Sequence, residues 1–397
     1  MKRRNFLKTS ALATAATLTS PLFGAQKSTA GEDYKALVCI LLEGGADSIN
    51  MMIPKHDPNR YRQYRELRKN SAIPLEQVRT LTKSIYGFHP QMPRMQRMFN
   101  HGKMAVIANM GPLFQPLSST QIAKAKTVDD IPSAPAGLFS HLPQRDHWMQ
   151  AGVSHSGWAT RLAKNIDGKF VNISTGGYNK MQDAEETETL IAHDDISGTH
   201  PFMKQVRRAA TDTWFEEDES FEGKSLGEQL RMTLDLIEHR KKAGFAKRQI
   251  YFVSDGGWDL HSDSKNLQEA FAHKVANLDK SLYEFSAALE QLGLDQKVTT
   301  FTVSDFGRTL DAEGNNHGWG GHAFVTGGAV KGGIYGQIPQ IAAKSPHTLD
   351  NGALIPTISS DQYQATLAAW LTDGKADLEA LFPHLKNFKT KKLNFMA

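Results

Sequence analysis

Three apolar runs in this sequence end in the same way, with an acidic residue beside glycines. Ile40-Leu-Leu leads into Glu43-Gly-Gly-Ala-Asp47, Phe252-Val-Ser into Asp255-Gly-Gly-Trp-Asp259-Leu-His261, and Phe301-Thr-Val-Ser into Asp305-Phe-Gly-Arg308. Two histidines follow in the glycine-rich loop Asn316-His-Gly-Trp-Gly-Gly-His322. Carboxylate oxygen and imidazole nitrogen together suit a divalent metal such as Zn, Mn or similar. Asp47, Asp259, His261, Asp305, His317 and His322 are therefore the candidate ligands. Each has an ordinary reading as well: an acid after a strand is about as often a cap or turn former, and histidines in a glycine loop can simply be exposed. Arg308 is a candidate anion clamp, or equally the partner of a nearby carboxylate. Ser140 stands where a helix would begin. An N-cap is the commonest role for a serine there; the same place suits a nucleophile activated by a metal or by the helix N-terminus. His147, two turns along, shares that side.

These residues need a scaffold that brings strand ends together. Residues 36–42 form a continuous apolar run, the pattern of a strand buried on both faces of a parallel sheet. Further strands read at 103–109, 170–174, 249–254 and 297–304, with short ones at 324–326 and 333–335. Helical patterns lie between them: 91–101, 225–242 opened by the Ser225/Glu228 capping box, 264–292 with apolar residues at Leu267, Phe271, Val275, Leu278, Leu282 and Phe285, and 361–372. Strands alternating with helices predict one α/β domain around a largely parallel sheet. In such a sheet ligands bind off the carboxyl ends of the strands, so the three acidic motifs are expected on one edge. Residues 111–136, rich in Pro, Ser and Ala, predict a long surface loop. Arg60, Arg62, Arg65 and Arg68 read as a solvated helix face or an anion-binding surface, and the acidic run Glu216 to Glu219 as a solvated surface. Trp148, Trp158 and Trp258 read as packing or pocket-wall residues.

The chain has 397 residues, 40% of them hydrophobic and 22% charged, ordinary for a globular protein. Its formal charge of +4 is misleading, because residues 1–30 carry five Lys or Arg and no acid, which leaves the rest at −1. Nucleic-acid binding gains nothing from such a balance. That first segment has the order of a twin-arginine signal: Lys2-Arg-Arg-Asn-Phe-Leu-Lys8, a weakly apolar stretch from Ser10 to about Ala25, then Ser28-Thr-Ala30 as a small-x-small cleavage site. The expected organisation is a signal peptide at 1–30 and a single domain at 31–397. The twin-arginine translocase is the partner during export, and the location afterwards is periplasmic or extracellular. Proteins taking that route are exported already folded, often with a cofactor in place. The apolar stretch is too short and polar for a stable membrane span. Cys39 is the one cysteine, so no intrachain disulfide forms, and it reads as a small core residue.

Taken together, the chain resembles the DUF1501 family of exported proteins. The resemblance is carried by Arg3-Arg-Asn-Phe-Leu-Lys8, Leu42-Glu-Gly-Gly-Ala-Asp47-Ser-Ile-Asn50, Phe88-His-Pro90, Ser140-His141, Trp148 and Gly157-Trp-Ala-Thr-Arg161. It continues through Gly256-Gly-Trp-Asp259-Leu-His261, Ser304-Asp-Phe-Gly-Arg-Thr309, Asn316-His-Gly-Trp-Gly320, Gly327-Gly-Ala-Val-Lys-Gly-Gly333 and Leu381-Phe-Pro-His-Leu-Lys-Asn-Phe388. That family in turn looks like a distant branch of the alkaline phosphatase/sulfatase superfamily. This implies a three-layer fold with metals at strand ends and a nucleophile at a helix start. Carried over, Asp47 matches the metal-bridging acid, with Glu43 as its competitor, Ser140 the nucleophile, and Asp259, His261, Asp305 and His317 the later ligands. Where the superfamily has an Asp-His pair this chain has Asp305-Phe306, so one ligand is missing or supplied elsewhere. The implied activity is metal-dependent hydrolysis of a small phosphate or sulfate ester, with Arg308 or Arg161 on the anion. The alternative is a non-catalytic periplasmic binding or assembly protein with an incomplete metal site. Replacing both Arg3 and Arg4 by Lys is expected to leave the protein in the cytoplasm, as read by fractionation; unchanged periplasmic recovery would refute the export signal.

Overall fold

A computed structural model describes residues 33–183, 189–191, 225–261, 266–311, 315–342 and 345–397. The twin-arginine segment and the acidic run at 216–219 lie outside the described residues.

The strands in chain order are β1 (Lys35–Leu42), β2 (Met52–Pro54), β3 (Arg79–Thr80), β4 (Tyr86–Phe88), β5 (Met104–Gly111), β6 (Asn172–Ser174), β7 (Thr189–Ile191), β8 (Arg248–Asp255), β9 (Val298–Ser304), β10 (Gly321–Thr326), β11 (Gly333–Tyr335) and β12 (Ile358–Ser359). The helices are α1 (Pro58–Arg68), α2 (Pro93–Asn100), α3 (Ser119–Lys124), α4 (His141–Gln150), α5 (Trp158–Ala163), α6 (Leu226–Ala243), α7 (Leu267–Gln291), α8 (Ser360–Leu371) and α9 (Leu378–Leu381). The large sheet runs β11-β5-β10-β9-β1-β8-β6-β7, with β12 added beside β5; β2, β4 and β3 form a small second sheet. Among the described residues, only β10 runs antiparallel to its neighbours β5 and β9 in the large sheet, so a largely parallel α/β sheet is the observed architecture.

β1 is the axis of this arrangement. Ala36, Val38, Ile40 and Leu42 pack on one face with α2, α6 and α7, while Leu37, Cys39 and Leu41 pack on the other with α4, α5 and α8. Period-two alternation thus buries both faces, and helices cover both, giving three layers. α6 opens on the expected Ser225/Glu228 capping box and closes at Gly244, whose φ of +67° fits an αL C-cap. α2 has no side-chain cap of its own. Its first backbone N–H groups are met instead by Asp279 of α7, at 2.9 Å from Arg94 N and 2.7 Å from Met95 N. That contact ties two helices of one layer together.

The segment 111–136 is more ordered than its composition suggests. Ser118 and Gln121 form a capping box for α3, and Leu113, Ile122 and Ile131 pack with Trp319 and Phe388 in a separate apolar cluster. Three apolar residues spaced along a polar stretch provide enough burial to fix it. The arginine-rich helix also departs from a purely solvated face. Arg62 and Arg65 are on the surface, but Arg68 is buried, ion-paired with Asp47 and bonded to the Thr309 carbonyl at 3.1 Å. Removing one partner of such a pair leaves an uncompensated buried charge. Arg68→Ala is expected to cost about 3–5 kcal/mol in denaturant unfolding, and the double change Asp47→Asn with Arg68→Met should recover much of that. A double variant no more stable than Arg68→Ala would show that the pair is not what matters.

Candidate metal centre

The register of the sheet brings the three motifs together. Leu42 pairs with both Asp255 and Ser304, so β1, β8 and β9 end level. The turn after β1 is tight: Gly44 has φ +114° and Gly45 φ +92°, and a Cβ on either would overlap the Asp259 backbone or the Phe306 ring. Glycine is needed at both places on both counts.

Asp305, one residue past β9, has a fully buried side chain. Its Oδ2 accepts from Gly44 N (3.2 Å), His141 Nδ1 (2.8 Å) and Arg145 Nη2 (3.0 Å), and its Oδ1 from Arg145 Nε (3.1 Å). Arg145 extends to Glu43 at 2.7 Å, and Glu43 accepts from Ser254 Oγ at 3.1 Å. Burial alone would lower the pKa of Arg145; hydrogen bonding and charge from Asp305, then Glu43, outweigh it and raise it. His141 and Arg145 lie four residues apart on α4, hence on one face.

Asp259 is the opposite case, with a side chain 41% exposed. Around its carboxylate stand Arg308 Nη2 (2.6 Å), His261 Nε2 (3.0 Å), His317 Nε2 (3.3 Å) and, on the other oxygen, His141 Nε2 (3.4 Å). Burial raises the pKa of Asp259, but the hydrogen bond and charge of Arg308, followed by His261 and His141, bring it below the usual carboxylate value. His317 is pushed down, first by burial and further by Arg308 and His141, against the Phe139 carbonyl and Asp259. Its Nδ1 donates to that carbonyl at 2.9 Å. Phe306 stacks on the His317 ring, centroids 4.3 Å apart, and also touches His141 at 4.9 Å.

The donor set fits a divalent cation. His141 gives its Nδ1 proton to Asp305 and His317 gives its own to Phe139, so both Nε2 lone pairs turn toward the Asp259 carboxylate. One ligand atom from each of His141, Asp259 and His317 lies within 4.8 Å of the others. Two lone pairs facing a carboxylate repel unless a proton or a metal lies between them. An outer N–H held by a carboxylate or carbonyl is the usual support of a metal-bound histidine. The three residues are partly exposed, as in sites that keep a coordination position open.

Of the residues singled out in the sequence, Asp259, His261 and His317 meet here. Asp305 stands one step behind, holding His141. Asp47 turns to Arg68 instead, and its place beside the strand ends is taken by Glu43. His322 is buried on β10 with Nδ1 accepting from Asn109 N at 3.0 Å, away from the cluster. Arg308 is fully buried and donates to the carbonyls of Gly44 (2.6 Å), Gly45 (2.7 Å), Asn315 (2.8 Å) and Trp258 (3.2 Å) as well as to Asp259. Arg161 lies at the far edge, beside Arg248 at the start of β8, bonded to Gln150 O at 3.0 Å. His147 bonds Ala136 O at 2.7 Å. Ser140 is the N-cap residue of α4, exposed, and its side chain makes no capping hydrogen bond. Sequence reading passed over Arg145 and noted His141 only in the Ser140-His141 motif, without a role as ligand; the signal for both is their spacing of four.

An α/β chain with a His/Asp cluster at its strand ends is the class this structure defines. The family model described as "Protein of unknown function (DUF1501)" matches residues 179–362, a little under half of the chain, so the resemblance to that family holds. No curated protein matches the sequence. Solved structures with a similar course of chain include the lipoteichoic acid synthase LtaP from Listeria monocytogenes (TM-score 0.40, 11% identity, covering 88% of this chain and 75% of that one). A 2-O GAG sulfatase is similar at TM-score 0.42 and 9% identity, covering 91% and 76%. A protein in the alkaline phosphatase superfamily from Vibrio parahaemolyticus is similar at TM-score 0.40 and 12% identity, covering 85% and 66%. Among the described residues, no helix is long and apolar enough to cross a membrane.

Two buried histidines outside the cluster make the fold acid-sensitive. Burial pushes His322 down to about 4, and burial with the Arg79 charge does the same to His89. Unfolded histidines titrate near 6.5, so below that pH the unfolded chain binds protons that the folded chain refuses, and stability falls as pH drops toward 4. His322 alone accounts for about 3 kcal/mol across that window. Urea unfolding between pH 7.5 and 4 checks this: the gap between the wild type and His322→Gln should narrow toward acid, and a constant gap would contradict it.

Proposed function

We propose that this protein is an exported, metal-dependent hydrolase of a phosphate or sulfate ester, with Ser140 as nucleophile. The observation that carries the reading is the placement of Ser140. The residue before it accepts the outer proton of His317, and the residue after it is His141. Ser140 thus sits between the support of one ligand, His317, and the other ligand, His141. Its hydroxyl is not spent on capping. The turn is held by Gln144, whose Oε1 accepts from Phe139 N at 2.8 Å and whose Nε2 donates to the carbonyls of Gly318 (3.4 Å) and Trp319 (3.3 Å).

His141, His317 and Asp259 would hold the metal, Zn or Mn by donor type, with His261 as a further nitrogen beside Asp259. When bound, a divalent metal polarises an ester oxygen and lowers the pKa of a nearby hydroxyl. The chain's own residues do the rest. In the first turn of α4 the N–H groups of His141 and Leu142, Pro143 having none, would face the ester anion. Ser140 Oγ forms the new bond to phosphorus or sulfur as the bond to the leaving oxygen breaks, and the alcohol departs with a proton. Water then cleaves the seryl ester. Arg308, with its donors engaged on carbonyls and on Asp259, acts by fixing that carboxylate rather than by gripping substrate. Asp305 and Arg145 keep His141 in its Nδ1–H form.

Purified protein is expected to contain about one divalent metal per chain by elemental analysis, lost in Asp259→Ala. It should hydrolyse p-nitrophenyl phosphate or sulfate, with turnover reduced roughly a thousandfold or more in Ser140→Ala. Metal binding without turnover on either ester would favour the non-catalytic alternative. A metal-free protein whose thermal stability ignores chelator and added zinc would overturn the whole reading.

A further inference from the structure

Behind the cluster, between the ends of β9 and β10 and the helices α4 and α8, lies a small internal cavity of about 30 Å³ open to the centre of a water molecule. Trp148, Asp305, His322, Ser360 and Gln364 are among the residues lining it. Four of these carry buried polar atoms with no hydrogen-bond partner among the described residues: Trp148 Nε1, His322 Nε2, Ser360 Oγ, and Nε2 and Oε1 of Gln364. Their residues are at most 8% exposed. Ser360 and Gln364 lie four apart and so share a face of α8. Trp148 lies seven residues after His141, on the face of α4 that carries the cluster.

Each unmet buried polar group costs free energy comparable to a lost hydrogen bond, and five such atoms on four residues lining one cavity are not left empty by accident. We propose that this cavity is a built hydration site holding about two ordered water molecules, bonded to His322, Trp148, Ser360 and Gln364. The tautomer of His322 agrees. With Nδ1 accepting from Asn109 N, the neutral ring presents Nε2–H to the cavity. The indole of Trp148 is likewise a donor only. Two waters can accept both protons and return two or more to the Gln364 carbonyl oxygen and to Asp305. Oδ1 of Asp305 has Arg145 Nε as its one partner among the described residues. A small anion is the competing occupant for a donor-rich cavity; the carboxylate of Asp305 in its wall opposes it. The waters therefore lie against Asp305 and add to the shell that holds this carboxylate. The inference does not depend on the hydrolase reading.

A crystal structure of the wild-type protein, with a second crystal soaked in sodium bromide, tests it directly. Ordered water density bonded to His322 Nε2 and Gln364, with no anomalous bromide peak, is the expected result. An empty cavity or a halide in it overturns the proposal. Thermal unfolding of Gln364→Met gives an independent reading. A hydrated cavity predicts a Tm lowered by about 2–4 °C, because the waters lose partners while His322 and Trp148 still need them. A dry cavity predicts a higher Tm, since two unmet polar atoms have been removed, and that outcome would also overturn it.

Discussion

The buried carboxylate of Asp305 is the constraint on which the candidate site depends. A carboxylate taken out of water costs several kcal/mol unless opposite charge and hydrogen bonds surround it. Four N–H groups do so here, from two separate parts of the chain: Gly44 after β1, and on α4 His141 with Nε and Nη2 of Arg145. Meeting that demand decides the position of α4. The helix must present one face to the end of β9, which sets its first turn over the strand ends and leaves Ser140 at the opening. It also decides the tautomer of His141, because a ring that gives its Nδ1 proton to Asp305 has its Nε2 lone pair turned outward.

The second carboxylate is held by a different device. Arg308 is buried and locked by four backbone carbonyls before it reaches Asp259. A guanidinium fixed on so many sides loses little further freedom in making the ion pair. Phe306 completes the support by stacking under His317 and touching His141. Each acid thus has its own arginine, Asp305 with Arg145 and Asp259 with Arg308, and the imidazoles between them add no charge while neutral. Glu43 remains as the extra negative charge at the rim. A divalent cation added to this balance would make the centre net positive, the sign an anionic ester requires.

Much of this was legible in the sequence. The acidic residue followed by glycines marked the strand ends because a parallel sheet buried on both faces leaves only its ends for chemistry. Asp259, His261 and His317 could be named because they lie within a few residues of those ends or in the next loop. Asp47 lies five residues past β1, and by then the chain has turned toward α1, where Arg68 takes its carboxylate. That partner is 21 residues away in sequence and no local pattern announces it. His322 was read as part of a glycine loop but belongs to β10, where strand alternation turns it inward. Arg145, and His141 as a ligand, were missed because α4 reaches the site through tertiary packing of Trp148 and Met149, which sequence spacing alone does not reveal. The segment 111–136 was underestimated for a similar reason: its few apolar residues find their partners on distant loops.

Asp259 and Asp305 show why residue type and spacing leave ligand and support undistinguished. Both are aspartates just beyond a parallel strand, in loops bearing glycine, and both touch a histidine and an arginine. What separates them is water. Asp305, with no exposed side-chain surface, is enclosed by the protein and acts through the ring it orients. Asp259, two-fifths exposed, keeps an edge open beside imidazole nitrogens and can bind something new. Burial thus converts one acid into a brace and leaves the other as a ligand. Phe306 fits the same division. At the position after the buried acid, an apolar ring that stacks on His317 strengthens the brace, and the second imidazole of the cluster comes from α4 as His141.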